Sequence, residues 1–203
     1  MNTYIKAIII ISSLIVAVFI GYVVYWLMIL NAFGSFDKDY TRQDLITSYS
    51  EHHEAIQGAI GFYTSIVPIG KEVEIEFEDE AISRIVVKAG PSKNPTYTHA
   101  WNHEPAKIDS IVSSLGWSEP MLDKLQEKLE AADCISIQNG EPAILGFKRS
   151  GMGIYSFNVF KKPIPDSLRE QYARSCTYLI QTEELVLEYG GGAMGPQCFP
   201  PNY

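Results

Sequence analysis

The sequence predicts an α+β protein, with an N-terminal transmembrane helix followed by a domain built on a mostly antiparallel sheet and several short helices. Three observations carry this expectation. Residues 7–30 form an unbroken apolar run, residues 71–78 alternate strictly between apolar and glutamate side chains, and residues 134–189 hold a series of short β-rich runs separated by turn residues. The division that follows is an anchor and joint over residues 1–36 and an acidic globular domain over residues 37–203.

The apolar run contains no charge, proline or side-chain amide. As a helix it would measure about 36 Å, enough to cross a hydrocarbon core of about 30 Å with some tilt. A cleavable signal peptide has a shorter apolar stretch and a small-residue cleavage site, whereas this run continues through Tyr22, Tyr25 and Trp26, rings suited to a membrane interface. The expected partner of residues 7–30 is therefore the lipid bilayer. Lys6 precedes the run while Lys38 and Arg42 follow it, so basic residues hardly discriminate orientation; the short basic tail before a long apolar run favours a single-pass signal anchor with the domain extracytoplasmic.

After the joint, Thr41 and Asp44 form a capping-box pattern, Thr-x-x-Asp, that starts a helix. Leu45, Tyr49, His52, Ile56, Ala59, Tyr63 and Val67 then recur at helical spacing and predict one long helix closed by Pro68, with Gly58 and Gly61 weakening it. The alternating run puts Val73, Ile75 and Phe77 on one face of a strand and Glu72, Glu74, Glu76 and Glu78 on the other. An antiparallel return over residues 82–88, after a three-residue loop at 79–81, sets Glu76 opposite Arg84, Glu72 opposite Lys88, Ile75 opposite Ile85 and Val73 opposite Val87.

Residues 89–105 contain Pro91, Pro95 and Pro105 among many polar residues and read as a long loop, the kind of segment that tends to carry function. Helices are expected over 106–115 and from the N-cap Ser118 to 132, with Leu122, Leu125 and Leu129 inward. Strands follow at 134–138, 143–148, 154–160, 176–181 and 185–189, broken by Asn139-Gly140 and by residues 150–153 and 182–184. Pro163 and Pro165 precede a short helix at 166–173 that should cross one face of the sheet.

The net charge of −8 argues against a nucleic-acid domain, because phosphate neutralisation needs clustered Lys and Arg, and it suits a basic protein partner. His53-Glu54 begins the zinc-protease pattern, but Gln57 stands where the second histidine belongs. His99, His103 and Glu104 are the candidate catalytic residues of the 89–105 loop; they fall short of the three or four ligands a zinc site needs, so no metal or cofactor is expected. The glutamate face reads as solvated and paired with Arg84 and Lys88, since a flat strand does not wrap a calcium ion. Gly190 to Gly195 spells Gly-x-Gly-x-x-Gly, yet Pro196 follows where a helix would have to begin, leaving a turned C-terminal segment.

Cys134, Cys176 and Cys198 contain no Cys-x-x-Cys pair. In an oxidising compartment Cys176 and Cys198 are the candidate disulfide, the alternative being three separate thiols. No Gly-x-Ser-x-Gly elbow or P-loop occurs. The leading functional expectation is a membrane-tethered, non-catalytic recognition or scaffolding domain, in one version an envelope protein that binds a basic protein, motivated in part by an aromatic-rich strand region (Tyr155, Phe157, Phe160, Tyr178 and Tyr189), although such rings are more often core than interface. The competing expectation is a membrane-anchored hydrolase or metal-binding protein that uses the 89–105 loop.

Overall fold

Helix α1 (Thr3–Ala32) is a single helix of 30 residues. Within it Ser12–Asn31 is long and apolar enough to cross a membrane, and none of that stretch is buried against the rest of the protein. The structure is a computed structural model that describes residues 3–32, 36–90, 95–151, 153–190 and 195–199. Several sequence expectations fall outside those residues: part of the joint (33–35), Pro91 and its neighbours to 94, Met152 in the 150–153 turn, and residues 191–194 and 200–203 of the C-terminal segment.

The capping box at Thr41 is formed, with the Asp44 backbone donating to Thr41 Oγ1 and the Thr41 backbone donating to the Asp44 carboxylate. The single long helix expected here is instead two, α2 (Arg42–Glu51) and α3 (His53–Ile66), which meet at His52. The cause is local. Ser50 donates to the carbonyl of Ile46, and the His52 ring bonds the carbonyl of Ser48, so side chains compete for carbonyls four residues back at the break.

Strands β1 (Lys71–Glu78) and β2 (Ala81–Ala89) pair in the expected register from Lys71↔Ala89 to Glu76↔Arg84. The register then shifts so that Phe77 meets Ile82, leaving Ser83 as a bulge, and the expected three-residue loop becomes a two-residue turn. Asp79 and Glu80 both adopt positive φ there, 49° and 63°, the backbone a tight hairpin demands in the absence of glycine.

The expected 89–105 loop contains a regular strand, β3 (Thr96–Trp101), paired antiparallel with β2. The flanking prolines hide it, but Tyr97, Thr98 and Trp101 are strand-forming residues. Helices α4 (Pro105–Ser114) and α5 (Glu119–Ala131) follow, then β4 (Ser136–Gln138), β5 (Ala143–Ser150), β6 (Gly153–Val159), α6 (Asp166–Ala173), β7 (Tyr178–Ile180) and β8 (Leu185–Gly190). The eight strands form one antiparallel sheet in the order β3-β2-β1-β4-β5-β6-β8-β7.

The core lies between one face of this sheet and helices α2 to α5. Val73, Ile75, Ile85, Leu145, Phe157 and Leu187 point into it from the strands, and Leu45, Ile56, Tyr63, Ile111, Leu125 and Leu129 from the helices. Tyr63 donates to the carbonyl of Val73 at 3.0 Å, which satisfies a fully buried hydroxyl. The aromatic-rich strand region is mostly core: Tyr155, Phe157, Phe160 and Tyr189 are buried, and Tyr155 stacks on Tyr189 with centroids 4.1 Å apart. Helix α6 covers only the Val186 end of the opposite face, through Tyr172 and Leu168.

Where the chain leaves α1 it is fastened to the domain. Asp39 accepts from the Ser150 hydroxyl at 3.0 Å, and Asp37 from the backbone N–H of Gly151 at 2.9 Å, both in the β5–β6 turn.

Candidate functional site

Strand parity makes the sheet two-faced, and the face away from α2 to α5 is polar. β1 contributes Glu72, Glu74 and Glu76, β2 Arg84 and Lys88, β4 Gln138, β5 Arg149, β6 Asn158 and β8 Glu188. Lys88 donates to Glu72 at 2.7 Å, and Gln138 donates to the other oxygen of the same carboxylate at 2.7 Å. Arg84, opposite Glu76 in register, bonds instead to the diagonal neighbour Glu74.

Glu76 departs from the expected solvated glutamate face, being only 4% exposed. Arg149 donates to it through Nε at 2.6 Å and Nη2 at 2.7 Å, a bidentate pair. The three-residue strand β4 ends opposite Glu76, so Arg149 on β5 is able to reach across to β1. Burial opposes the charge on Arg149, but the hydrogen bonds and field of Glu76, with Glu78 and Glu74 adding, hold its pKa above the usual arginine value. No sequence pattern marks Arg149, which falls one residue past the strand expected at 143–148.

Glu76 and Arg149 line two cavities at once. The first, about 360 Å³, has an apolar floor of Phe77, Leu129, Cys134 and Ile135, and a rim of Glu78, Asp79, Glu80 and Glu130. Glu78, Asp79, Glu80 and Glu130 are all exposed. Burial, and then the charge of Asp133, push the Cys134 thiol up to about 12, which keeps it protonated at neutral pH. The second cavity, about 350 Å³, lies on the polar face between Glu74, Arg84, Ser156 and Glu188. Burial raises the Glu188 pKa against the hydrogen bonds from Asn158 and Tyr178, and burial followed by the Glu188 charge pushes Tyr178 up to about 12.

The three candidate residues of the 89–105 segment are dispersed. His99 sits on the polar face of β3, opposite Val86; His103 lies in the turn after that strand; and Glu104 precedes α4. Glu104 accepts from Lys107 at 3.1 Å and from the Trp101 backbone N–H at 3.2 Å, bonds that lower its pKa. None of the three lines either cavity. His53 starts α3 with its ring against Tyr49, and among the described residues no cluster of three or more His, Cys, Asp or Glu is placed to hold a metal ion.

Cys176 and Cys198 form a disulfide with Cα atoms 4.7 Å apart. It draws the segment Gly195 to Phe199 across the sheet end, where Phe199 packs against both rings of the Tyr155–Tyr189 stack and the Gly190 backbone approaches Pro196. Comparison with known families, curated proteins and solved structures gave no match.

Proposed function

We propose that the protein is a membrane-tethered recognition domain that holds a basic protein partner at the mouth of the first cavity, with the domain on the extracytoplasmic side. The observation that carries this reading is the combination of an apolar floor with a carboxylate rim. A lysine or arginine has the same two-part chemistry, an aliphatic stem ending in a cation. Phe77 and Ile135 offer surface to the stem, and Glu78, Asp79, Glu80 and Glu130 offer charge to the head, while Glu76 is already occupied by Arg149. The net charge of −8 would speed the encounter with such a partner. An exposed disulfide favours an oxidising compartment, which supports the extracytoplasmic placement.

The test is a titration of the full chain in detergent with short peptides carrying one Lys or Arg between apolar residues, against the same peptides carrying Asp. The expected result is binding of the basic set alone, weakened by salt and abolished in a Glu80→Lys/Glu130→Lys variant. Equal binding of both sets, or no loss in the variant, would overturn the reading.

A further inference from the structure

We infer that β3 is a self-association edge, at which a second copy of this chain continues the sheet. Edge strands of soluble domains are usually blunted by charge, and this one is not: no Asp, Glu, Lys or Arg lies between Thr96 and Trp101. In a chain of net charge −8 a neutral edge is where two copies meet without repulsion. It also carries two of the few large apolar side chains exposed outside α1 among the described residues, Tyr97 at 60% and Trp101 at 41%.

The backbone defines how two copies fit. The N–H of Asn102 donates to the carbonyl of Ser83 at 2.9 Å, so Asn102 faces β2. On the other side the N–H of Trp101 donates to the Glu104 carboxylate, and the Trp101 carbonyl accepts from the Glu104 N–H at 2.8 Å. Alternation along the strand therefore turns the N–H and C=O groups of Tyr97 and His99 toward the free edge. Trp101 is already satisfied there and Pro95 has no N–H, so the open stretch is bounded at both ends.

Two such edges match in one antiparallel register. Tyr97 faces His99 of the second copy and His99 faces its Tyr97, giving four N–H···O bonds about a two-fold axis. In this register Pro95 opposes Trp101, so the residue without a donor meets the one whose donor is already used. Every opposed pair shares a face, as strand pairing requires, with Tyr97, His99 and Trp101 on the polar side. Thr98 lies on the axis as a non-hydrogen-bonded pair, with Cα atoms about 4.5 Å apart, within the range a disulfide spans.

The test is mild oxidation of the full chain carrying Thr98→Cys, in detergent, with Thr64→Cys on the exposed face of α3 as control. A linked dimer mapped to position 98, absent at position 64, is expected. A Tyr97→Lys/His99→Lys background sets like charges opposite each other without touching the β2–β3 ladder, and there the link should be lost while the thermal melt is unchanged. No link at position 98 together with a monomeric mass by light scattering would overturn the inference. Equal linking at position 64, or a link that survives both lysines, would overturn it too.

Discussion

Glu76 on β1 and Arg149 on β5 lie 73 residues apart in the chain and are joined by two hydrogen bonds of 2.6 and 2.7 Å. Their burial is unequal, the Glu76 side chain being 5% exposed and that of Arg149 37%. Removing Arg149 leaves a carboxylate with little access to water, whereas an orphaned Arg149 can turn outward. Arg149→Met should therefore cost about 2 kcal/mol or more and Glu76→Gln noticeably less. Urea denaturation of both variants checks the order; the reverse order would mean that the guanidinium is the trapped charge.

Glu188 predicts a pH dependence of the opposite sign to that of most acids. Burial lifts its folded pKa above the unfolded value, so its favourable contribution is complete below the ordinary carboxylate range and is lost as pH rises through the folded value. Glu188→Gln keeps a carbonyl oxygen to accept from Asn158, offers an amide N–H to the Tyr178 hydroxyl oxygen, and removes that loss. The Tm of the variant should gain on the parent between pH 4 and pH 7, and a gap that does not change with pH would contradict the assignment.

The capping box gives the complementary case. The backbone and side chain of Thr41 hold the Asp44 pKa below its usual value, so this stabilisation is present above the carboxylate range and fades as pH falls through the lowered value. Thr41→Ala should cost about 1 kcal/mol at pH 7. The deficit relative to the parent should shrink in acid, a comparison that circular dichroism melts at two pH values provide.

Closing the loop between Cys176 and Cys198, 22 positions apart, should contribute about 3 kcal/mol through the unfolded state. Reduction, or Cys176→Ser/Cys198→Ser, should lower the Tm and expose Phe199 with the Tyr155–Tyr189 stack to a dye that reports apolar surface. A melt unaffected by reductant would show that the aromatic packing alone retains the tail.

The same cysteines report orientation. After reduction a membrane-impermeant maleimide should label Cys176 and Cys198, which are exposed, and spare Cys134, which is buried and held protonated. Labelling of intact cells is expected for an extracytoplasmic domain; labelling confined to lysed cells would reverse that topology.

Local pattern made some of this readable and geometry hid the rest. The alternation at residues 71–78 specified which side of β1 is buried and its register with β2 as far as Arg84, because one misplaced residue would have put glutamates in the core. The α2–α3 break depends on side chains reaching back to carbonyls, which helical periodicity does not encode. β3 was masked by its prolines. The Glu76–Arg149 pair was out of reach because β5 is two strands from β1 in the sheet, across the short β4, and two strands and two helices separate β1 from β4 in the chain, so nothing in either sequence segment announces the other.

The bonds from Asp37 and Asp39 to the β5–β6 turn also limit posture. Only five peptide steps separate Ala32, the last residue of α1, from Asp37, a leash of at most about 18 Å when fully drawn out. Were α1 seated in a bilayer, the domain would be moored close to the lipid surface by one corner, at Ser150 and Gly151, and a partner of the kind proposed above would have to approach from the remaining directions.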